Sequence, residues 1–169
     1  VKLVAGSVVV EDVEVFVAAL PEGGPETVVQ AFDAAYVADR EHLAAAVEHA
    51  DRAFDRGENV ASDRSVEVLL YAAGRRQIRE ALEMGVDEGE QAVVVVVAGG
   101  DEDSAAAAVA AFLDGGRVLA ADEPSGAGVY GDRETIREFF DVSDAELDAA
   151  AGDLAGVVRE RVTLLDVEK

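Results

Sequence analysis

Five consecutive valines, Val93 to Val97, stand between Gln91-Ala92 and Ala98. Each branched Cβ loses rotamer freedom against a preceding helical turn, and the run is too short for a stable helix. It is apolar at every position instead of alternate ones. The run therefore predicts a strand over 91–98 that is buried on both faces. Such a strand has to be covered from two sides by other elements of the chain.

Those elements are legible in outline. Lys2 to Val10 is β-rich and predicts a first strand. Asp12 to Leu20 predicts a helix with Val13, Phe16, Val17 and Leu20 on one face, closed by Pro21-Glu-Gly-Gly-Pro25. Thr27 to Phe32 alternates weakly, as a second strand would. Asp39 opens a long helix whose buried stripe is Leu43, Ala46, Val47, Ala50 and Phe54, and Gly57 stops it. Ser62 or Asp63 caps the next helix, in which Val66, Leu69, Leu70 and Ala73 keep helical spacing. Gly74 interrupts that pattern, and Ile78, Ala81 and Leu82 resume it before Gly85.

Gly99-Gly100 turns the chain into an Ala-rich helix running from Asp103 to Leu113. Val118 to Ala121 reads as a short strand, Glu123 to Gly131 as a loop, and Arg133 to Phe140 as a short helix. Ser143-Asp-Ala-Glu146 fits a capping box. Helical spacing then continues from Leu147 to Leu165, interrupted by Gly152 and Gly156. Strands and helices interleave without strict βα alternation. The prediction is one α+β domain over 1–169, a small mixed or largely antiparallel sheet covered by helices.

The chain carries 36 acidic residues against 14 lysines and arginines, a formal net charge of −22. Lys2 and Lys169 are its lysines, and the other basic residues are arginines. The acid is spread over exposed helical positions instead of being collected in one tail. Abundant carboxylate, scarce lysine and small apolar side chains are the pattern expected of a protein adapted to a salt-saturated cytoplasm. At molar salt the Debye length is about 3 Å, so this charge does not exclude nucleic acid as a partner.

Several chemistries are excluded or unsupported. There is no cysteine, which rules out disulfides, zinc–thiolate sites and thiol nucleophiles. No apolar run approaches a membrane span, and no secretory signal is evident, so a cytoplasmic protein is expected. Gly99-Gly100 resembles a phosphate-binding turn, but Asp101, Glu102 and Asp103 occupy the place of the anion. His42 and His49 stand about 10 Å apart along one helix, too far to share a metal, and read as surface residues. Ser125-Gly-Ala-Gly128 lacks the order of a nucleophile elbow and has no histidine nearby. No cofactor is predicted.

One segment runs against the general acidity. Residues 64–79 hold Arg64, Arg75, Arg76 and Arg79 against Glu67, a local net of +3. If residues 75–82 form a helix, Arg75, Arg76 and Arg79 lie within about 100° of one another, with Ile78, Ala81 and Leu82 roughly opposite. Such a ridge suits RNA, whose phosphates pair with guanidinium groups while an apolar edge receives an unstacked base. It equally suits a solvated face, with Arg76–Glu80 and Arg79–Glu83 as i,i+4 pairs. Spacing alone leaves both open.

The order of residues here adds a resemblance. Glu67-Val-Leu-Leu-Tyr71-Ala-Ala-Gly74-Arg-Arg-Gln-Ile78, then Glu80-Ala81 and Met84-Gly85-Val86, resembles the core motif of the KEOPS-complex regulatory subunit family, also called the PRPK-binding protein family. Asp33 to Tyr36 and His42-Leu43 extend the likeness upstream. The valine strand and the Ser143-x-x-Glu146-Leu147 helix ending near Arg161 extend it downstream.

The resemblance implies an accessory subunit and not an enzyme. It implies docking on the small atypical kinase-like subunit of KEOPS, stimulation of threonylcarbamoyladenosine formation, and binding of the single-stranded 3′ CCA end of tRNA. No membrane or DNA partner is implied. By motif position the RNA contacts fall on Arg75, Arg76, Gln77 and Ile78, with Arg64 nearby. The arginines would pair phosphates, Gln77 would meet a base edge and Ile78 a base face. Kinase docking would use an apolar helical face on the helices after Arg133. The alternative is a protein–protein adaptor with no direct RNA contact; a metabolite-binding regulator or small enzyme is a third reading without a supporting motif.

Overall fold

The valine run forms a strand, Gly89–Ala98, in which Val93 to Val97 are each at most 1% exposed. The structure is a computed structural model that describes residues 1–121 and 130–168. In chain order its first elements are β1 (Lys2–Val10), α1 (Val13–Ala19), β2 (Val28–Asp33), α2 (Arg40–Arg56), α3 (Arg64–Ala73) and α4 (Ile78–Ala81). They continue with β3 (Gly89–Ala98), α5 (Glu102–Phe112), β4 (Asp114–Val118), α6 (Arg133–Phe139), α7 (Asp144–Ala149) and α8 (Leu154–Glu168). The chain is α+β, as its pattern predicts. It divides into two compact units, one holding 1–34 and 85–121 of the described residues, the other 35–84 and 130–168.

The first unit is a four-stranded antiparallel sheet of order β2-β3-β1-β4 with α1 and α5. In its register Val4 lies opposite Val95 and Ala31 opposite the same residue from the other side. Val4, Ala31, Val93, Val95 and Val97 share one face, closed by Phe16 and Leu20 of α1 and by Ala105, Ala106 and Val109 of α5. Burying each large aliphatic side chain contributes roughly 1.5–3 kcal/mol. Val94 and Val96, on the opposite face, are fully buried as well.

Two details differ from the sequence pattern. Val17 is 55% exposed, because the short α1 buries only Phe16 and the following Leu20. The last strand begins at Asp114 and not at Val118. Pairing with β1, around a bulge between Ala5 and Ser7, outweighs the poor strand propensity of Gly115-Gly116. Most of the loop read over 123–131, with Ser125-Gly-Ala-Gly128, lies outside the described residues.

The second unit is helical. Asp39 caps α2 by accepting from the His42 N–H, and Gly57 closes it in the left-handed conformation. α2, α3 and α8 pack on one another. The helical pattern from Leu147 to Leu165 is two helices, α7 and α8. Ala151 and Gly152 both take positive φ, 56° and 80°, and reverse the chain between them; Gly156 lies inside α8.

The histidines are not surface residues. His42 is fully buried. Its Nδ1 accepts from the Ala38 N–H at 3.1 Å, and its Nε2 lies 2.7 Å from the Ala72 carbonyl. This arrangement calls for a neutral ring protonated on Nε2. Burial pushes its pKa down to about 4, against the Ala72 carbonyl and Asp39, which favour the charged form. His49 is 9% exposed; it stacks on Tyr71 and places Nδ1 2.6 Å from an Asp166 carboxylate oxygen. Both rings fill gaps between helices that a reading of polar residues as surface residues does not anticipate.

A pH dependence follows. In the unfolded chain His42 titrates at its ordinary value of 6.5. Between that value and about 4 the unfolded state binds a proton that the folded state does not. The stabilisation is complete above pH 6.5 and is lost as the pH falls, by up to about 3 kcal/mol. Urea melts across this range are expected to show the step, and a His42→Gln variant to lack it.

Candidate nucleic-acid interface

The motif that carries the resemblance is mostly interior. From Val68 to Ala73, α3 is no more than 2% exposed at any residue, and Glu67 is fully buried. Such a helix must satisfy its polar groups internally. Asp63 caps its start by accepting from the Ser65 and Val66 N–H groups at 2.8 and 3.3 Å. The Glu67 carboxylate accepts from Val60 N–H at 3.1 Å and Ala61 N–H at 3.0 Å, pinning the incoming loop. The Tyr71 hydroxyl donates to Asp166 of α8. Burial, then that carboxylate, push the phenol well above its usual range.

Gly74 ends the helix in the left-handed conformation, φ 63°. Its N–H bonds to Tyr71 O at 3.0 Å and the Arg75 N–H to Leu70 O at 3.1 Å, a closed C-terminal cap. A side chain at 74 would suffer both the backbone strain and a Cβ 3.4 Å from the Cβ and carbonyl of Arg161. This cap turns the chain away, so Arg75, Arg76 and Gln77 are not helical and α4 begins only at Ile78. The condition for a helical ridge, a continuous helix over 75–82, is therefore not met, and the three arginines do not form one.

The structure distributes the predicted residues differently. Arg75 is held inward: its guanidinium lies 4.7 Å from the centroid of the Phe139 ring, donates to the Phe139 carbonyl and stands 3.5 Å from Glu80. Arg76 and Gln77 are exposed, and the Gln77 side chain makes no cap on α4. Ile78 is 44% and Leu82 56% exposed, whereas Ala81 and Met84 are buried and anchor this segment. Spacing had set Ile78 and Leu82 with Ala81 on one face; a single turn of helix after a reversal exposes both. Arg64 stands at the other end of α3, about 15 Å along its axis. It pairs with Asp51 at 2.8 Å and lies over the Phe54 ring at 4.8 Å. Arg76, Gln77 and Ile78 are thus brought together in one exposed turn, with Arg75 at its root and Arg64 apart.

Other residues complete the surroundings. Tyr36, Arg75, Glu80, Glu83, Glu138 and Phe139, with Thr135, line a cleft of about 470 Å³ beside the turn. Tyr36 packs edge-on against Phe139, as Phe139 does against Phe140. Arg161 grips Glu146 with two hydrogen bonds of 2.6 and 2.7 Å, and that contact holds the Glu146 carboxyl below its usual range. Arg79, exposed on α4, and Leu82 extend the surface. Sequence reasoning marked Glu146 as a capping residue, Arg161 as a helix position and both as flanks of the resemblance, with no role at this surface.

Among the described residues, no cluster of histidine, aspartate or glutamate could hold a metal ion. At the Gly99-Gly100 turn Glu102 accepts from Gly99 N–H at 2.7 Å and Asp101 from Ser104 N–H at 3.1 Å, so the chain's own acids use those donors. No described helix is long and apolar enough to cross a membrane.

Fold and site together define an α+β protein that presents a short exposed turn from the end of a buried helix. The family model described as kinase binding protein CGI-121 matches residues 10–166, and the chain belongs to that family. This is the KEOPS regulatory-subunit family that the 67–86 motif resembles. No curated protein matches the chain.

The interior half of the motif is testable by stability. Glu67→Ala leaves the Val60 and Ala61 N–H groups without their acceptor and is expected to cost about 2–3 kcal/mol in urea melts. Glu67→Gln, which keeps one acceptor oxygen, is expected to cost less.

Proposed function

We propose that this chain is the non-catalytic regulatory subunit of a KEOPS tRNA-modification complex. In this reading it binds the small kinase-like subunit, supports threonylcarbamoyladenosine formation and holds the 3′ CCA end of tRNA, in an archaeal cytoplasm of high salt. Membership of a kinase-binding family supports the partner. The family match runs through both units, which supports treating 1–169 as one functional module.

The observation that carries the RNA contact is the exposed turn itself. Arg76, Gln77 and Ile78 are side by side in sequence and exposed, on a chain of net charge −22. A guanidinium, an amide and an aliphatic face are what a single-stranded end requires: phosphate pairing, a base-edge hydrogen bond and an apolar base contact. Arg79 and Leu82 enlarge that surface. At high salt the apolar and stacking contributions would dominate, because counterion release is weakened. Arg75, partly buried against Phe139, and Arg64, paired with Asp51 and apart from the turn, take lesser roles as direct contacts.

Those same internal pairings favour the second reading, an adaptor without RNA. Kinase docking is placed on the helices after Arg133, where Leu164 and Val167 of α8 are 45% and 79% exposed.

The two readings separate in one experiment. Arg76→Glu combined with Gln77→Ala is expected to weaken binding of a single-stranded RNA ending in CCA by roughly tenfold or more. Removing the CCA end from tRNA should have a similar effect, and co-purification with the kinase-like subunit should persist. Unchanged RNA affinity in both arms favours the adaptor.

A further inference from the structure

We propose that Arg161, Glu146 and Phe139 are positioning residues for the Arg76–Ile78 turn, acting through Arg75. The inference rests on the reading of that turn as an RNA contact and assigns how its geometry is set.

The argument begins with what the turn lacks. Helical hydrogen bonding ends when the Arg75 N–H reaches back to Leu70, and resumes only when the Glu80 N–H reaches Gln77. Between those points Arg76 and Gln77 are not helical, and the segment is held at both of its ends. One end is α4, anchored by Ala81 and Met84. The other is Arg75, whose guanidinium is fixed on the ring and carbonyl of Phe139.

The Phe139 anchor is itself held. It closes α6, and the chain behind it reverses at Asp141, which takes φ 53°. Just past this helix end, the carbonyls of Phe140 and Asp141 receive donors from Arg161. Its Nε donates to Phe140 O at 3.2 Å and one terminal nitrogen to Asp141 O at 3.3 Å. The planar fork that makes these bonds is oriented by the two bonds to Glu146. The backbone of Arg161 also sits against Gly74, where a Cβ would come within 3.4 Å. One arginine of α8 therefore touches both the cap from which the turn emerges and the segment that holds Arg75.

A partner held in several places by rigid groups loses less conformational freedom on binding. Arg75 accordingly acts chiefly as a strut, and the three positioning residues need no contact with RNA.

The test measures anisotropy of a labelled single-stranded RNA ending in CCA, together with amide hydrogen exchange of the free protein. Glu146→Ala and Phe139→Leu are each expected to raise Kd roughly five- to tenfold, with Glu146→Gln recovering part of the loss. The amides of residues 76–79 should exchange faster in Glu146→Ala and Phe139→Leu, while those of β3 keep their protection. Wild-type affinity in both variants, alongside weakened binding by Arg76→Glu, overturns the positioning role and leaves the RNA reading standing. If the wild-type chain binds no RNA, the RNA reading fails instead. Exchange at 76–79 then decides alone: acceleration supports the positioning role, and unchanged exchange overturns it.

Discussion

A helix buried on every side leaves no water to satisfy its polar groups, and α3 is so from Glu67 to Ala73. Each of its polar loose ends has a specific partner: Asp63 at the start, Glu67 on the loop before it, His42 at the Ala72 carbonyl, Asp166 at the Tyr71 hydroxyl. At its C-terminus the chain leaves through a left-handed residue beside α8, and Gly74 provides it. The exposed turn follows from that exit. The interior of the motif and its surface are two consequences of one burial.

The first unit answers a similar demand in β form. A strand apolar at every position needs cover on both faces. It receives hydrogen-bonded neighbours on both edges, with α1 and α5 packed over one face. Acidic residues at the start of α5 occupy the donors of the Gly99-Gly100 turn. The net charge and the local geometry at that turn argue in the same direction, against an anion there.

Much of this was legible because it depends on local chemistry. The first strand, the valine strand, the caps at Asp39, Asp63 and Ser143 and the stops at Gly57 and Gly74 each need only a few neighbouring residues. The errors arose where distant residues decide or where a left-handed residue redirects the chain. Both histidines look like surface residues until α3 and α8 close over α2. Arg75 to Gln77 have helical composition, but the Gly74 cap turns them out of the helix. Ala151, an ordinary helix former, takes a left-handed conformation beside Gly152 and splits one helical pattern into two. Arg76, Gln77 and Ile78 could be picked out as parts of one motif by order alone, and the structure exposes all three. The inward fixing of Arg75 could not, because Phe139 lies 64 residues away.

The chain then reads as a family member whose recognised motif chiefly builds an interior and presents one short face. That division separates the arginines by position: Arg75 partly buried at the root of the turn, Arg76 exposed on it, and Arg64 apart at the start of α3. The most direct measurement is chemical-shift mapping during titration with a single-stranded RNA ending in CCA. The largest changes are expected at the backbone amides of Arg76 and Gln77 and the methyl groups of Ile78. Changes confined to α8 or to the first unit, with none at 76–78, would contradict the assignment of this turn as the RNA contact.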